Sequence, residues 1–474
     1  MDVRRRRQEA SFGEIHFGNA RLGDARRTRR LVKTADLLME HPGGTLPQKL
    51  TQWSDLIGLY RLLSTETVTH QAVMQSHCER TLQLAGRSGE VVLFIHDSTE
   101  LDYTQVPALA GQLGQIGNGG GRGYVCHNTL VVTAEREVLG LANQTLHRRR
   151  TVPRGETPTQ KREHPQRESL LWPGACEAMK GSPPAGCTWI DIADRGADTF
   201  EFLQFLHEQG RRYVIRSARD RRLAGEDHVA CDRIHQMLHA YTRDLPSLGE
   251  QTVAVPRQQR GKRKAGRDAR TARVRISAGA VSIRLPDFAR GHCDAQTLDL
   301  WVVHVREIAP PAGAEPLEWV LLTNLATETL GQAIERVEWY RCRPIIEELH
   351  KGMKTGCGVE SMQFEHADRL EPAIGLLSVV AAVLLQLRQV ARKPEATTTP
   401  ATTLVPRLFV QVLGGWRYKQ ARDDLSVYEF AMALANLGGH LNRKGDGFPG
   451  WLTLWRGWQD LQLMVRGAEA IKCV

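Results

Sequence analysis

The sequence lacks a CxxC pair. Its nine cysteines (Cys78, Cys126, Cys176, Cys187, Cys231, Cys293, Cys342, Cys357 and Cys473) stand singly. That spacing argues against a structural zinc site. An odd count argues against a disulfide framework and fits a reducing compartment. Long apolar runs are also missing. The most apolar stretch, 373–385, is shorter than a bilayer requires and reads as a buried core helix. The opening MDVRRRRQEASFGE is basic but has no apolar stretch of the signal-peptide kind. No internal repeat is evident. The glycine-rich GNGGGRG at 117–123 has no following GK[ST], so it reads as a flexible loop and not as a phosphate cradle. These absences predict a soluble cytoplasmic protein with no membrane and no nucleotide cofactor.

What is present is length and positive charge. A chain of 474 residues exceeds one ordinary core and predicts two to four domains. The 41% hydrophobic and 24% charged content is that of a globular protein. A net charge of +10 and a pI near 9.3 favour a polyanionic partner, most often nucleic acid.

Residues 1–70 read as helical. The motif RLGDARRTRRLVK starts a basic helix with Asp24 as its cap. Arg26, Arg27, Arg29, Arg30 and Lys33 crowd a few turns beside one carboxylate, which suits a phosphate-facing surface. A strand-rich block follows. VVLFI at 91–95 has the continuous apolar character of a buried strand. Residues 124–133 and 138–145 predict a hairpin around 134–137. The polar, proline-containing 148–167 reads as a loop. CTWIDI at 187–192 is a further strand, then a helix over about 198–209, then the strand RYVIR at 212–216. From about 220 to 318, weak strands and a very basic stretch at 257–275 suggest a β-rich insertion with an exposed basic loop. WVLLTN at 319–324 returns to core-strand character, and 327–355 reads as helical. The last 70 or so residues are helical and hold Trp416, Trp451, Trp455 and Trp458.

Two acids end core strands: Asp97 after VVLFIH and Asp194 after TWIDIA. Strand ends are where α/β folds collect ligands. An acid there is also commonly an N-cap, so the case depends on a third group. Glu347 supplies it. Tyr340, Arg343, Glu347 and Lys354 are separated by 3, 4 and 7 positions. At about 100° per residue they share an arc of roughly 60° on one continuous helix. Three converging carboxylates repel one another by several kcal/mol at an effective dielectric near ~20. Divalent cations relieve that repulsion, and an all-oxygen set suits Mg²⁺ or Mn²⁺. Two such ions would clamp the attacking and leaving oxygens of a phosphoryl transfer, with Arg343 and Lys354 on neighbouring phosphates.

Through these residues the chain resembles bacterial DDE transposases carrying a Y-R-E-K signature, the cut-and-paste type found in the kanamycin-resistance composite transposon. The likeness rests on IHDST at Asp97, ADRGAD at Asp194 and YRCRPIIEELHKGMKTG at 340–356. RLGDARRTRRLVK, RYVIRS, EWVLLTN and GWLTLWRGW extend it along the whole chain. The resemblance implies an α/β fold with a ribonuclease-H-like catalytic core over 71–370, interrupted by a β-rich insertion at about 220–318. It implies an N-terminal helical domain over 1–70 that reads transposon ends and a C-terminal helical dimerisation domain over 371–474. It makes Asp97, Asp194 and Glu347 the catalytic metal ligands, holding two Mg²⁺ or Mn²⁺ ions. Tyr340, Arg343, Lys354, Trp319 and Arg216 become DNA contacts, with Trp319 stacking on a flipped base. Arg26, Arg27 and Arg30 join them from the N-terminal helix. The partners implied are double-stranded DNA, as transposon ends and target, and a second copy of the chain in a bacterial, nucleoid-associated complex.

One position departs from the pattern. Pro344 follows the signature arginine where the family has an aromatic residue, so the helix must begin later than drawn or kink there. His96 reads as a structural neighbour of Asp97. His350, three after Glu347, makes an E-x-x-H pair that has no second copy to form a di-iron site. Two alternatives share these residues: a DNA-binding repressor that does not cut, and a metal-dependent nuclease that does not join.

Overall fold

A computed structural model describes residues 10–41, 43–224, 237–255, 268–443 and 446–472. The chain is α/β, with a helical N-terminal region and a core of mixed strands. It divides into two compact units: Met1–Arg87, Ser98–Val152 and Ile345–Val474 form one, Ser88–Asp97 and Pro153–Pro344 the other.

The second unit is built on a sheet. Val92, Leu93, Phe94 and Ile95 are fully buried, as befits a strand covered on both faces. This strand pairs in parallel with Thr188–Ala193, from Val91↔Thr188 to His96↔Ala193. Thr188–Ala193 pairs in parallel with Arg212–Arg216. The helix Phe200–Glu208 connects the latter two, and Thr199 caps it by accepting the Phe202 N–H. Beyond Arg212–Arg216 the sheet turns antiparallel through Glu318–Thr323, Thr297–Glu307 and Arg270–Arg284. The last of these also carries Ser247–Val255 and the short Leu223–Ala224.

The β-rich stretch is therefore less weak than its sequence suggests. Arg270–Arg284 spans 15 residues and Thr297–Glu307 spans 11. In the first, Ala272, Val274 and Ile276 point inward while Arg273 and Arg275 point out. Of the basic stretch read as a loop, 257–267 lies outside the described residues. From Arg270 onward the described remainder is strand, and Arg270 is engaged there. Its Nε donates to Glu307 Oε1 at 2.9 Å and its Nη2 to Glu307 Oε2 at 2.6 Å.

The first unit begins with the helices Phe12–Phe17, Ala25–Glu40, Leu46–Lys49, Trp53–Leu63 and His70–Ala85. Asp24 caps Ala25–Glu40 through the Arg26 N–H, as the sequence predicts. The expected hairpin is present as Gly121–Thr133 and Val138–His147. The glycine-rich 117–123 is not a loose loop. It is the turn and return of a second hairpin with Gly114–Ile116, in which Gly117 and Gly119 take φ of 60° and 109°, angles that favour glycine. The 148–167 stretch likewise contains a short helix, Pro158–Glu163, with a capping box at Thr157.

Two helical readings need correction. The apolar 373–385 lies in a longer helix, Ala367–Val390, of 24 residues. By length and composition it could cross a membrane, but 82% of its most apolar window is buried inside the protein. The continuous helix over 327–355 does not exist. Leu330–Tyr340 ends in a turn, Ile345–Lys351 starts anew, and Gly352–Gly356 winds as a π-helical turn. Pro344 sits immediately before the second helix, where its missing N–H costs nothing. Tyr340, Arg343, Glu347 and Lys354 therefore occupy a helix end, a turn, a new helix and a π turn, and not one continuous helix.

The C-terminal helices Arg407–Tyr418, Val427–Leu437 and Trp451–Lys472 bury Val410, Leu413, Leu425, Phe430, Leu434, Leu454 and Leu461 together. Trp451 and Trp455 are buried and stacked, 5.8 Å between ring centroids.

Candidate functional site

The parallel strands decide where the first two acids stand. The last paired residues are His96 and Ala193, so Asp97 and Asp194 each lie one residue further on adjacent strands. Asp97 is not at the strand's end, as the sequence suggests, because the strand continues to Asp102. Asp194 does end its strand and caps the following 3-10 turn, accepting the Gly196 N–H on Oδ1 at 2.8 Å. Its other oxygen stays available for a second partner.

That partner is Arg343. One nitrogen, Nη2, donates to Asp97 Oδ2 at 2.9 Å and to Asp194 Oδ2 at 3.1 Å. The side chains of Arg343 and Asp97 are each 15% exposed, and that of Asp194 is 37% exposed. Two carboxylate oxygens thus converge on a single cationic point. This is the donor chemistry that suits Mg²⁺ or Mn²⁺.

Three more of the sequence-chosen residues gather in the same unit. Tyr340 is buried, with its ring edge toward Trp319 at 5.5 Å between centroids. Trp319 is half-buried at the start of Glu318–Thr323. Arg216 donates through Nη2 to the Glu318 carbonyl at 3.0 Å, and its charge acts on the Tyr340 hydroxyl. Burial pushes the Tyr340 hydroxyl above its ordinary pKa, against the pull of Arg216 and Arg343.

Glu347 and Lys354 belong to the other unit. Glu347 is exposed on Ile345–Lys351, whereas Glu348 is held by Arg388. Lys354 pairs with Glu360 at 3.4 Å. His350 is buried against Asn128, 3.2 Å from its Nδ2.

The cations of Ala25–Glu40 are more constrained than the sequence suggests. Arg26 is 82% exposed and pairs with Asp24. Arg27 donates to the Leu22 carbonyl and to Thr67 Oγ1. Arg30 and Lys33 both reach Asp55, at 3.0 and 2.5 Å. Asp55, a second carboxylate missed in the sequence, therefore ties this helix to Trp53–Leu63. Trp53, also missed, opens that helix with 74% of its surface exposed.

A buried network lies beside Asp97. His96 Nε2 is 2.9 Å from Asp191 Oδ1, and Arg211 donates to both Asp191 oxygens at 2.7 and 2.8 Å. Burial by itself would raise the Asp191 pKa; Arg211 and His96 outweigh it and hold the carboxyl below its usual range. Cys176 brings its sulfur close enough that one atom each of His96, Cys176 and Asp191 lie within 4.8 Å of one another. Arg211 already occupies the carboxylate, and burial pushes the Cys176 thiol well up. The cluster therefore reads as a structural ion pair. The signal for it in the sequence was an aspartate inside the otherwise apolar TWIDIA. Every cysteine among the described residues is a free thiol, while Cys231 and Cys473 lie outside them.

The N-terminal segment matches a known family. Residues 9–68 match the family model described as transposase DNA-binding. That span covers the capped basic helix and the helix that Trp53 opens. The match makes DNA the partner of this segment. It supports a transposase, a DNA-processing enzyme, as the class of the whole chain.

Proposed function

We propose that the chain is a cut-and-paste DDE transposase with a ribonuclease-H-like core. The observation that carries the reading is the convergence of Asp97 and Asp194, from adjacent parallel strands, on one cationic point at Arg343 Nη2. The DNA-binding match over residues 9–68 supports it. Asp97, Asp194 and Glu347 would hold the Mg²⁺ or Mn²⁺ ions. When bound, those ions supply the charge that activates water or a 3′-hydroxyl and stabilises the leaving oxygen.

The protein's own residues bind and orient the DNA. Tyr340, Arg216 and Arg343 would grip phosphate near an unstacked nucleotide, and the half-buried Trp319 would stack on its base. Lys354 would hold the neighbouring backbone. Each joining step exchanges one phosphodiester for another, so no nucleotide cofactor is required. Two copies of the chain would bring two transposon ends together.

The test uses a labelled duplex carrying a terminal sequence from the DNA flanking the gene, with Mg²⁺. Hairpin and strand-transfer products are expected. Breaks without joined product would replace this reading with a nuclease, and binding without breaks would replace it with a repressor. Glu347→Ala should abolish chemistry and keep binding; a Glu347→Ala protein that still cuts refutes the site.

A further inference from the structure

We infer that Arg343 is the resident counter-cation of the two aspartates in DNA-free protein, and that it couples metal loading to DNA binding. The inference rests on the metal-site reading above.

Strand pairing makes the two carboxylates neighbours whether or not a metal is present, because adjacent strands lie only about 4.8 Å apart. Their repulsion is therefore built into the sheet. Arg343 offsets it by placing one Nη2 2.9 Å from Asp97 Oδ2 and 3.1 Å from Asp194 Oδ2. A divalent ion held by these same two carboxylates would take the place that Arg343 Nη2 now fills. Its position would overlap the guanidinium, and its charge would repel it. Metal and Arg343 are thus mutually exclusive on this pair of atoms.

Arg343 has an alternative place to go. Its guanidinium pairs with a phosphate as readily as with a carboxylate. It emerges from a tight turn, closed by the Cys342 N–H to the Trp339 carbonyl and the Arg343 N–H to the Tyr340 carbonyl, both at 3.0 Å. The side chain can swing on its own torsions while this turn stays fixed. A DNA phosphate that draws Arg343 away exposes both carboxylates to metal. Reciprocally, a bound metal releases Arg343 to phosphate. The two ligands then bind with positive coupling.

Manganese binding to the full-length protein tests this without reading activity. Free Mn²⁺ is followed by electron paramagnetic resonance for wild type, R343Q, R343K and D97N, with and without a random-sequence duplex. R343Q without DNA is expected to bind Mn²⁺ about tenfold tighter than wild type, within the usual range of coupling factors. R343K, which keeps a cation, should stay near wild type. Duplex should tighten Mn²⁺ binding by wild type and leave R343Q unchanged. D97N should lose this binding in every condition. Equal or weaker Mn²⁺ binding by R343Q overturns the inference. So does a wild-type affinity indifferent to duplex, an arm that needs no variant to fold. If no protein shows Asp97-dependent Mn²⁺ binding even with DNA, the metal-site reading itself is lost, and the coupling with it.

Discussion

Asp97 and Asp194 stand side by side because His96 and Ala193 are the last register pair of two parallel strands. The adjacency is a property of the backbone, so either side chain can be changed without moving the other's position. Asp97→Asn and Asp194→Asn are expected to fold, bind DNA and lose cleavage. Asp194 has the additional task of capping its 3-10 turn. Asparagine preserves that cap and alanine does not. Asp194→Ala should therefore be less stable than Asp194→Asn by about 1 kcal/mol in urea unfolding. Equal stability of the two would show that the cap contributes nothing.

The Asp191–Arg211 pair makes a different prediction. Asp191 is buried, and Arg211 neutralises it through both oxygens. Arg211→Met leaves a buried carboxylate with only His96, at an expected cost of roughly 3–5 kcal/mol. The double substitution Arg211→Met with Asp191→Leu removes both charges and should recover much of that loss. Chemical denaturation of the two variants checks it; a double variant no more stable than the single one would contradict the account.

What the sequence made legible was local. Continuous apolar runs located the central strands, and two strand-like runs flanking 134–137 located the hairpin. A single aspartate before RRTRR located the cap. The misreadings have non-local or breaking causes. A helical spacing of 3, 4 and 7 continues formally through Pro344, although the missing N–H stops the helix there. Asp55 pairs with residues 22 and 25 positions away, and Arg211 with one 20 positions away. No local pattern announces such partners. The strand Arg270–Arg284 was obscured because arginines occupy its outward positions. Glu347 was separated from Glu348 by motif spacing alone; the Arg388 contact to Glu348 joins residues 40 positions apart and left no local trace.

A histidine pair sets a pH limit on stability. His16 Nδ1 lies 2.9 Å from His77 Nδ1, and His77 Nε2 accepts the Leu141 N–H at 3.0 Å. His77 therefore carries its proton on Nδ1 and donates it to His16, so both rings are neutral. Burial, reinforced by Arg80, lowers the His16 pKa from 6.5 to about 4. Burial, with His16 and Arg80, lowers that of His77 well below 6.5. Unfolded histidines take up protons near 6.5, before the folded ones do. Stability from this pair is thus complete above pH 6.5 and is lost as the pH falls toward about 4. The expected slope is about 1.4 kcal/mol per pH unit for each histidine. Denaturant midpoints measured across this window should lose much of their slope in His16→Phe; an unchanged slope would exclude the pair as its source.

Trp53 should contribute to DNA affinity in a way the arginines do not. It is an apolar ring 74% exposed, at the first turn of a helix inside the DNA-binding match. Residues at such helix starts are the ones that reach base edges when a helix enters a groove. Two positions on, Asp55 holds Arg30 and Lys33 and so ties the basic helix to this one. Trp53→Ala removes apolar contact and no charge, so it should weaken duplex binding about tenfold with the salt dependence unchanged. Arg26→Ala removes an exposed cation and should lower the salt slope by about one. Arg27 and Arg30, already engaged by Leu22, Thr67 and Asp55, should instead lower thermal stability when replaced. Fluorescence anisotropy at several salt concentrations separates these effects. A Trp53→Ala protein that binds like wild type would remove the ring from the DNA surface. One with an altered salt dependence would show that the substitution had disturbed charged contacts as well.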